Sequence, residues 1–292
     1  MFATALLMCK VDEKDVDLIR AVEAGATPLG IKKLLVAHIH NQDPLPAPLV
    51  GLVEPPPPPR PPELDEAVTR LAAALPGIEV EGVVRAGPPE YVLAQLVDEF
   101  AVDLFIMGRN PAQGTTPGWG SASRKLLRLT TCSALVIPRG AALDLSSVVV
   151  GLDFSQYSTM ALAVACQVSS HVKAIYQFDA KVPAAGGMKE EPFRQQVEQR
   201  AREHLDKDIL PWLPRGAAPE LIIHPGGKVA EALFEHAGTK PIIMGSRGLT
   251  PLAAMLLGSS ADRVAGRSPG PVLIVRKKGN HMGLLAGLFH RS

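Results

Sequence analysis

The chain repeats itself once. Asp103-Leu-Phe-Ile-Met-Gly108-Arg109 returns as Pro241-Ile-Ile-Met-Gly245-Ser-Arg247, an offset of 137 positions between the glycines. Gly120-Ser121 returns as Gly258-Ser259 at an offset of 138, and Ala134-Leu-Val-Ile-Pro138 resembles Pro271-Val-Leu-Ile-Val275 at 137. Solenoid repeats run at about 20–50 residues, so a period this long reads as a duplicated globular domain. The 292 residues agree with two domains of about 150 residues each. The expected divisions are a first domain over 1–140 with a Pro-rich loop at 41–62, a second over 146–278, and a tail over 279–292.

Each copy alternates short apolar runs with longer amphipathic segments. In the second copy Ser147–Leu152, Val172–Phe178, Leu221–His224, Ile242–Met244 and Val272–Val275 read as strands. Helices are predicted over Gln156–Ser169 and Pro192–Leu210 and from Val229 and Ser260. The first copy offers strands near Ala5–Cys9, Lys33–His38, Ile78–Val84, Leu104–Met107 and Ala134–Ile137. Strands alternating with helices imply parallel sheets covered on both faces. The fold class is therefore α/β, two tandem doubly wound domains, each a five-stranded, mainly parallel sheet flanked by helices.

Composition narrows the function. Apolar residues make up 47% and charged residues 20%, which fits a globular protein. A net charge of +1 excludes broad electrostatic capture of nucleic acid. Three cysteines without a CxxC pair indicate neither a disulfide framework nor a zinc cluster, and point to a cytoplasmic setting. The apolar start, Met1–Cys9, lacks the basic region and cleavage site of a signal peptide. No uncharged apolar run reaches the roughly 18 residues of a membrane span. His38 and His40 alternate at a strand end and could face one side, but no third metal ligand stands near them. Seven prolines between Pro55 and Pro62 favour extended polyproline structure, either a stiff surface loop or a docking segment for a protein partner. In the tail, Leu284, Leu285, Leu288 and Phe289 have the spacing of a short amphipathic helix, or of a frayed end.

The chemistry concentrates after the fourth strand of the second copy. Gly245-Ser-Arg-Gly248 is followed by nine residues and then by Gly258-Ser259-Ser260. Gly245 and Gly248 leave room for backbone N–H groups to turn toward a ligand. Ser259 is the expected N-cap of a helix, with Asp262 completing a capping box. A helix start presents unpaired N–H groups and positive dipole, to which phosphates bind. The serine hydroxyls and Arg247 add donors and charge. Neither GxxxxGK[ST] nor GxGxxG occurs, and an ordinary strand–turn–helix junction would also account for glycine and serine here.

Three segments together resemble the universal stress protein family: Val148-Val-Val-Gly-Leu-Asp153-Phe-Ser155, Met244-Gly-Ser-Arg-Gly248-x9-Gly258-Ser259, and Ser268-Pro-Gly-Pro-Val-Leu-Ile-Val275. The middle one matches that family's ATP-binding pattern, G-x2-G-x9-G-[ST]. The resemblance covers nearly the whole chain, more closely over 146–276 than over 1–140. It implies a stress-response regulatory protein that binds ATP in its second domain, with Mg2+ beside the phosphates. Gly151, Leu152 and Asp153 would lie beside the adenosine, and Phe178 would contact adenine. Met244, Gly245, Arg247 and Gly248 would line the ribose and phosphates, and Gly258, Ser259 and Ser260 would hold the phosphate tail. Leu249–Leu257 carries no basic residue, which leaves ADP or AMP as alternative occupants. Any ATPase activity would be slow.

The first copy departs from the pattern. Pro111, which has no N–H, stands at the second glycine, and only Ala112–Trp119 separates it from Gly120. Gly108, Arg109, Gly120, Ser121 and Ser123 remain. Lys10 takes the place of the strand-end aspartate, or Asp12 does if one residue is inserted. This half reads as degenerate. The resemblance further implies that the final strands, Ala134–Ile137 and Pro271–Val275, pair edge to edge as an intrachain pseudo-dimer, with a homodimer as a further possibility. Two other functions remain open: an interaction scaffold acting through the Pro-rich loop and tail, and an ATP-using activating enzyme, whose usual SGG-x-DS loop the chain lacks.

Overall fold

The computed structural model describes residues 1–10, 15–42, 57–109, 120–178, 190–247 and 257–276. The chain divides into two compact units, Met1–Gly140 with Arg276, and Ala141–Val275. The first unit contains β1 (Thr4–Met8), α1 (Val16–Gly25), β2 (Lys33–His40), α2 (Pro62–Ala74), β3 (Glu79–Ala86), α3 (Pro89–Glu99), β4 (Leu104–Arg109), α4 (Ser121–Leu129) and β5 (Ser133–Pro138). Its strands pair in the order β3-β2-β1-β4-β5, all parallel. The second unit contains β6 (Ser147–Leu152), α5 (Gln156–Val168), β7 (His171–Phe178), α6 (Glu190–His204), β8 (Glu220–Pro225), α7 (Val229–Ala237), β9 (Ile242–Gly245), α8 (Ser259–Arg267) and β10 (Val272–Val275). Its order is β10-β9-β6-β7-β8, again all parallel.

Helices cover both faces of each sheet, so the central strands are apolar without alternation. Leu34–Ala37, Leu104–Met107, Val148–Val150 and Ile242–Ile243 are all buried. The helices answer with one apolar stripe each: Leu18, Ile19 and Val22 on α1, and Ala161, Leu162, Ala165 and Val168 on α5. In the second unit the chain runs from β6 outward through β7 to β8, then returns to lay β9 and β10 on the other side of β6. Strand order therefore reverses between β6 and β9. Their carboxyl ends flank the crevice in which doubly wound sheets bind ligands.

Two segments differ from the sequence expectation. The helix expected over Pro192–Leu210 is α-helical only through His204, and Leu205–Ile209 forms a π turn closed by the Leu210 N–H donating to the Leu205 carbonyl. Leu205 and Ile209 are both buried, so the apolar period continues across the turn and conceals it. The Pro-rich stretch is also divided. Residues 43–56 lie outside the described residues, whereas Pro61 is the N-cap of α2 and Pro62 its first residue, where a missing N–H costs nothing. Arg60 donates to Asp65 Oδ1 at 2.8 Å and to the Gly82 carbonyl at 2.9 Å, and His40 Nε2 lies 2.8 Å from the Pro59 carbonyl. Pro59 to Pro62 is thus built into the first unit. The tail over 279–292 is outside the described residues. Among the described residues no helix is long and apolar enough to cross a membrane.

Candidate functional site

Gly151 of β6 pairs with Met244 of β9, so Asp153 and Ser246, each two residues further on, stand side by side at the carboxyl lip of the sheet. Leu152 is buried and turns its side chain into the core, leaving only its backbone for the crevice. Asp153 is half-buried and anchored at both ends: its Oδ1 accepts the Ser155 N–H at 3.0 Å, and its own N–H donates to Ser158 Oγ at 3.2 Å. Ser155 caps α5 by accepting the Ser158 N–H at 3.3 Å. Between them Phe154 takes a φ of +60°, a left-handed conformation that costs a non-glycine residue about 1–3 kcal/mol and is found disproportionately at functional sites.

On the β9 side the structure corrects two readings. Gly245 is the last strand residue, and a Cβ there would come within 2.7 Å of the Tyr157 carbonyl carbon and Cβ. Its lack of a side chain serves the approach of α5. It does not open the crevice. The N-cap of α8 is Gly258, in extended conformation (φ −69°, ψ 154°), and not Ser259. Gly258 is drawn into place because its N–H donates to the Ser246 carbonyl at 2.8 Å, while Ser246 donates to the Val275 carbonyl at 3.0 Å. The Asp262 N–H closes the first turn on the Gly258 carbonyl at 2.9 Å, so the expected capping box does not form. The α8 start carries no side-chain cap, and Ser259 and Ser260 are exposed there as its first two residues. Backbone N–H groups and positive dipole therefore meet the crevice. Arg247 lies over the Tyr157 ring at 5.9 Å, a cation–π contact that parks a positive charge beside the same lip. Gly248 lies outside the described residues.

Phe178 ends β7 and is buried; its carbonyl accepts the Gly226 N–H at 2.8 Å. It belongs to an aromatic wall. Phe154 meets Tyr176 edge-on at 4.9 Å and His204 at 5.0 Å, Tyr176 stacks toward Phe178 at 6.5 Å, and Phe178 meets Phe193 of α6 at 6.1 Å. Sequence reading missed Phe154, Tyr157, Tyr176, Phe193 and the buried bridge Ser246. One signal was present. With Phe178, four of these make five of the chain's thirteen aromatic residues (8 Phe, 2 Trp, 3 Tyr) between positions 154 and 193.

The first unit answers differently. Met8 pairs with Met107 as Gly151 does with Met244, which sets Lys10 in the place of Asp153 with no insertion. The Lys10 N–H is held by Asp15 Oδ2 at 2.7 Å. Asp12 lies outside the described residues, as do Pro111 and the rest of 110–119. By the same register His38 and His40 replace Tyr176 and Phe178, their rings 4.7 Å apart. Gly120 is the N-cap of α4, with Ser121 first in the helix, and Arg109 ends β4, where burial pushes its guanidinium pKa down.

These features define a tandem doubly wound α/β protein with a built crevice in the second unit. The universal stress protein profile matches residues 8–138 and 145–276. A universal stress protein of Thermus aquaticus, encoded 3′ of a QAH/OAS sulfhydrylase, is 31% identical over 139 residues, covering 44% of this chain and 98% of its own. Among solved structures, a universal stress protein from Archaeoglobus fulgidus aligns with a TM-score of 0.61 at 19% identity, covering 94% of this chain and 98% of its own. A functionally unknown protein from Pseudomonas aeruginosa aligns with a TM-score of 0.59 at 16% identity, over 98% and 95%. The chain belongs to the universal stress protein family and carries two such domains in tandem.

Proposed function

We propose that the second unit binds an adenine nucleotide, ATP or alternatively ADP or AMP, in the crevice outside β6 and β9, and that the chain serves as a nucleotide-dependent regulatory protein. The observation that supports this most is the meeting of three different groups at one strand-order reversal: the anchored Asp153 carboxylate, the Arg247 guanidinium over Tyr157, and the uncapped α8 start. In this reading Asp153 accepts from ribose hydroxyls, a carboxylate's ordinary partners. The Ser259 and Ser260 hydroxyls and first-turn N–H groups hold phosphate oxygens, with Arg247 adding charge. The wall of Phe154, Tyr176 and Phe178 offers the base a flat, apolar side, and the Phe178 carbonyl keeps one lone pair beyond its bond to Gly226. Mg2+ arriving with the phosphates requires oxygen donors and retains water; Asp153 and the two serine hydroxyls are of the right kind. Binding rather than turnover is the expected role, with hydrolysis slow at most.

The test is mass analysis of small molecules released when the purified full chain is denatured, together with thermal unfolding in added ATP. About one adenine nucleotide per chain, or a raised midpoint in ATP, supports the reading. The absence of both release and stabilisation overturns it and leaves the scaffold function.

A further inference from the structure

On the far edge of the second unit's sheet, His224 of β8 faces Glu235 and His236 at the end of α7. One ligand-capable atom from each lies within 4.8 Å of the other two. The imidazoles meet edge to face at 5.7 Å. His236 Nε2 is buried and has no hydrogen-bond partner among the described residues. A buried ring nitrogen without a partner loses hydration for no return, so its placement calls for a group that structure alone does not supply.

The internal repeat shows what the same place does in the first unit. The strand registers set Arg85 of β3 at the position of His224, because Arg85 pairs with Ile39 as His224 pairs with Gln177. Counting back from the matched Gly108 and Gly245, His236 corresponds to Glu99 and Glu235 to Asp98. Arg85 and Glu99 form an ion pair at 3.0 Å that ties the edge strand to the last turn of α3. In the second unit both partners are imidazoles. Two imidazoles cannot reproduce that opposite-charge tie, and here they meet only ring to ring, with no hydrogen bond to His236 Nε2; a cation between them would restore it.

We propose that His224, Glu235 and His236 bind a divalent transition-metal ion, Zn2+ foremost, which clips β8 to α7. Two nitrogens and a carboxylate suit zinc, and also cobalt, nickel or copper, whereas calcium and magnesium demand oxygen ligands. Ligands at about 2.0–2.1 Å in a tetrahedral shell stand roughly 3.4 Å apart, so side-chain rotations of about an ångström close the set. Water completes the fourth position. The site rests on no part of the nucleotide reading and lies on different residues.

The experiment uses the full chain, free of any affinity tag and stripped of metal, titrated with Zn2+ against a chromophoric chelator, and separately with Co2+ while absorption is followed. One ion per chain, an upward shift of the unfolding midpoint in Zn2+, and a cobalt spectrum of four-coordinate intensity without a thiolate band are expected. His224→Ala and Glu235→Gln, both at positions that are not buried, should each weaken Zn2+ binding by more than about tenfold, with unchanged circular dichroism. His236→Ala should do the same. Should that variant fold poorly, the other two decide. No binding beyond that of the His224→Ala protein, binding that survives all three changes, or a thiolate band placing the ion on cysteine each overturns the proposal.

Discussion

Replacing Gly245 by alanine isolates what the repeated Met-Gly dipeptide does. The added Cβ would sit 2.7 Å from the Tyr157 carbonyl carbon and Cβ and 2.8 Å from its carbonyl oxygen. Ordinary carbon contacts lie at about 3.5–4.0 Å, so a shift of nearly 1 Å is needed. The obstructing atoms include backbone of the first turn of α5, which cannot step aside as a side-chain end would. Overpacking of this kind costs about 1–3 kcal/mol. At the matching Gly108 the new methyl would meet only Leu18 Cδ2 at 3.4 Å, an ordinary contact. There alanine should be neutral, or stabilise by about 0.5–1 kcal/mol through the backbone entropy that glycine loses on folding. With a urea m value of about 2 kcal/mol/M, a loss of about 2 kcal/mol lowers the midpoint by about 1 M. Urea unfolding of the full chain reads the size of the effect, and hydrogen exchange in β9 and β4 peptides assigns it to a unit. Equal midpoints for the two variants, or a Gly245→Ala midpoint within error of wild type, would refute the packing account.

Gly258→Asp places a carboxylate at the α8 start and should abolish stabilisation by ATP, whereas Gly120→Asp should leave ATP affinity within about threefold, since Lys10 already replaces the aspartate in that unit; thermal shift assays compare them. Arg60→Ala removes the bonds to Asp65 and the Gly82 carbonyl and should cost about 1 kcal/mol in urea unfolding. Burial pushes the Cys166 thiol up to about 11, leaving roughly one thiolate in a thousand at pH 8; disulfide-exchange reagents should label it slowly in the native chain and rapidly in urea. Burial, and then the charge of His40, lower the pKa of His38 from 6.5. Its unfolded form takes up a proton that the folded form refuses, so stability is full above pH 6.5 and falls as pH drops through that value toward the folded pKa. Urea midpoints at pH 7.5 and 5.5 should differ less in His38→Gln.

The strands were readable because a parallel strand covered on both faces is an unbroken apolar run. Ser147–Leu152 and Val272–Val275 are found in the structure with those bounds. Side-chain roles at the crevice were harder to read, since they depend on distances between segments. Ser259 has the composition of an N-cap, but the carbonyl of Ser246 holds Gly258 in that place instead. Gly245 reads as a ligand-side glycine, and only the position of Tyr157 shows which neighbour excludes its Cβ. The cluster of His224, Glu235 and His236 has no motif, because His224 lies at the end of β8 and the other two at the far end of α7, so the loop and the length of the helix set the spacing.

The wide turn at Leu205–Ile209 works as a phase adjuster. An α-helix rotates by about 100° per residue. One surplus residue, taken up here in a single turn, therefore leaves the segment before it and the buried anchor Ile209 behind it in the phase of an uninterrupted helix one residue shorter. Phe193 and His204, which face Phe178 and Phe154, are upstream of that slip. Removing the exposed Lys207 would let the helix run on as a plain α-helix with that aromatic pair still facing the crevice, whereas keeping every residue and losing the wide turn would swing the pair by about 100°. The wide turn, more than the identity of any residue in it, keeps one wall of the site in place.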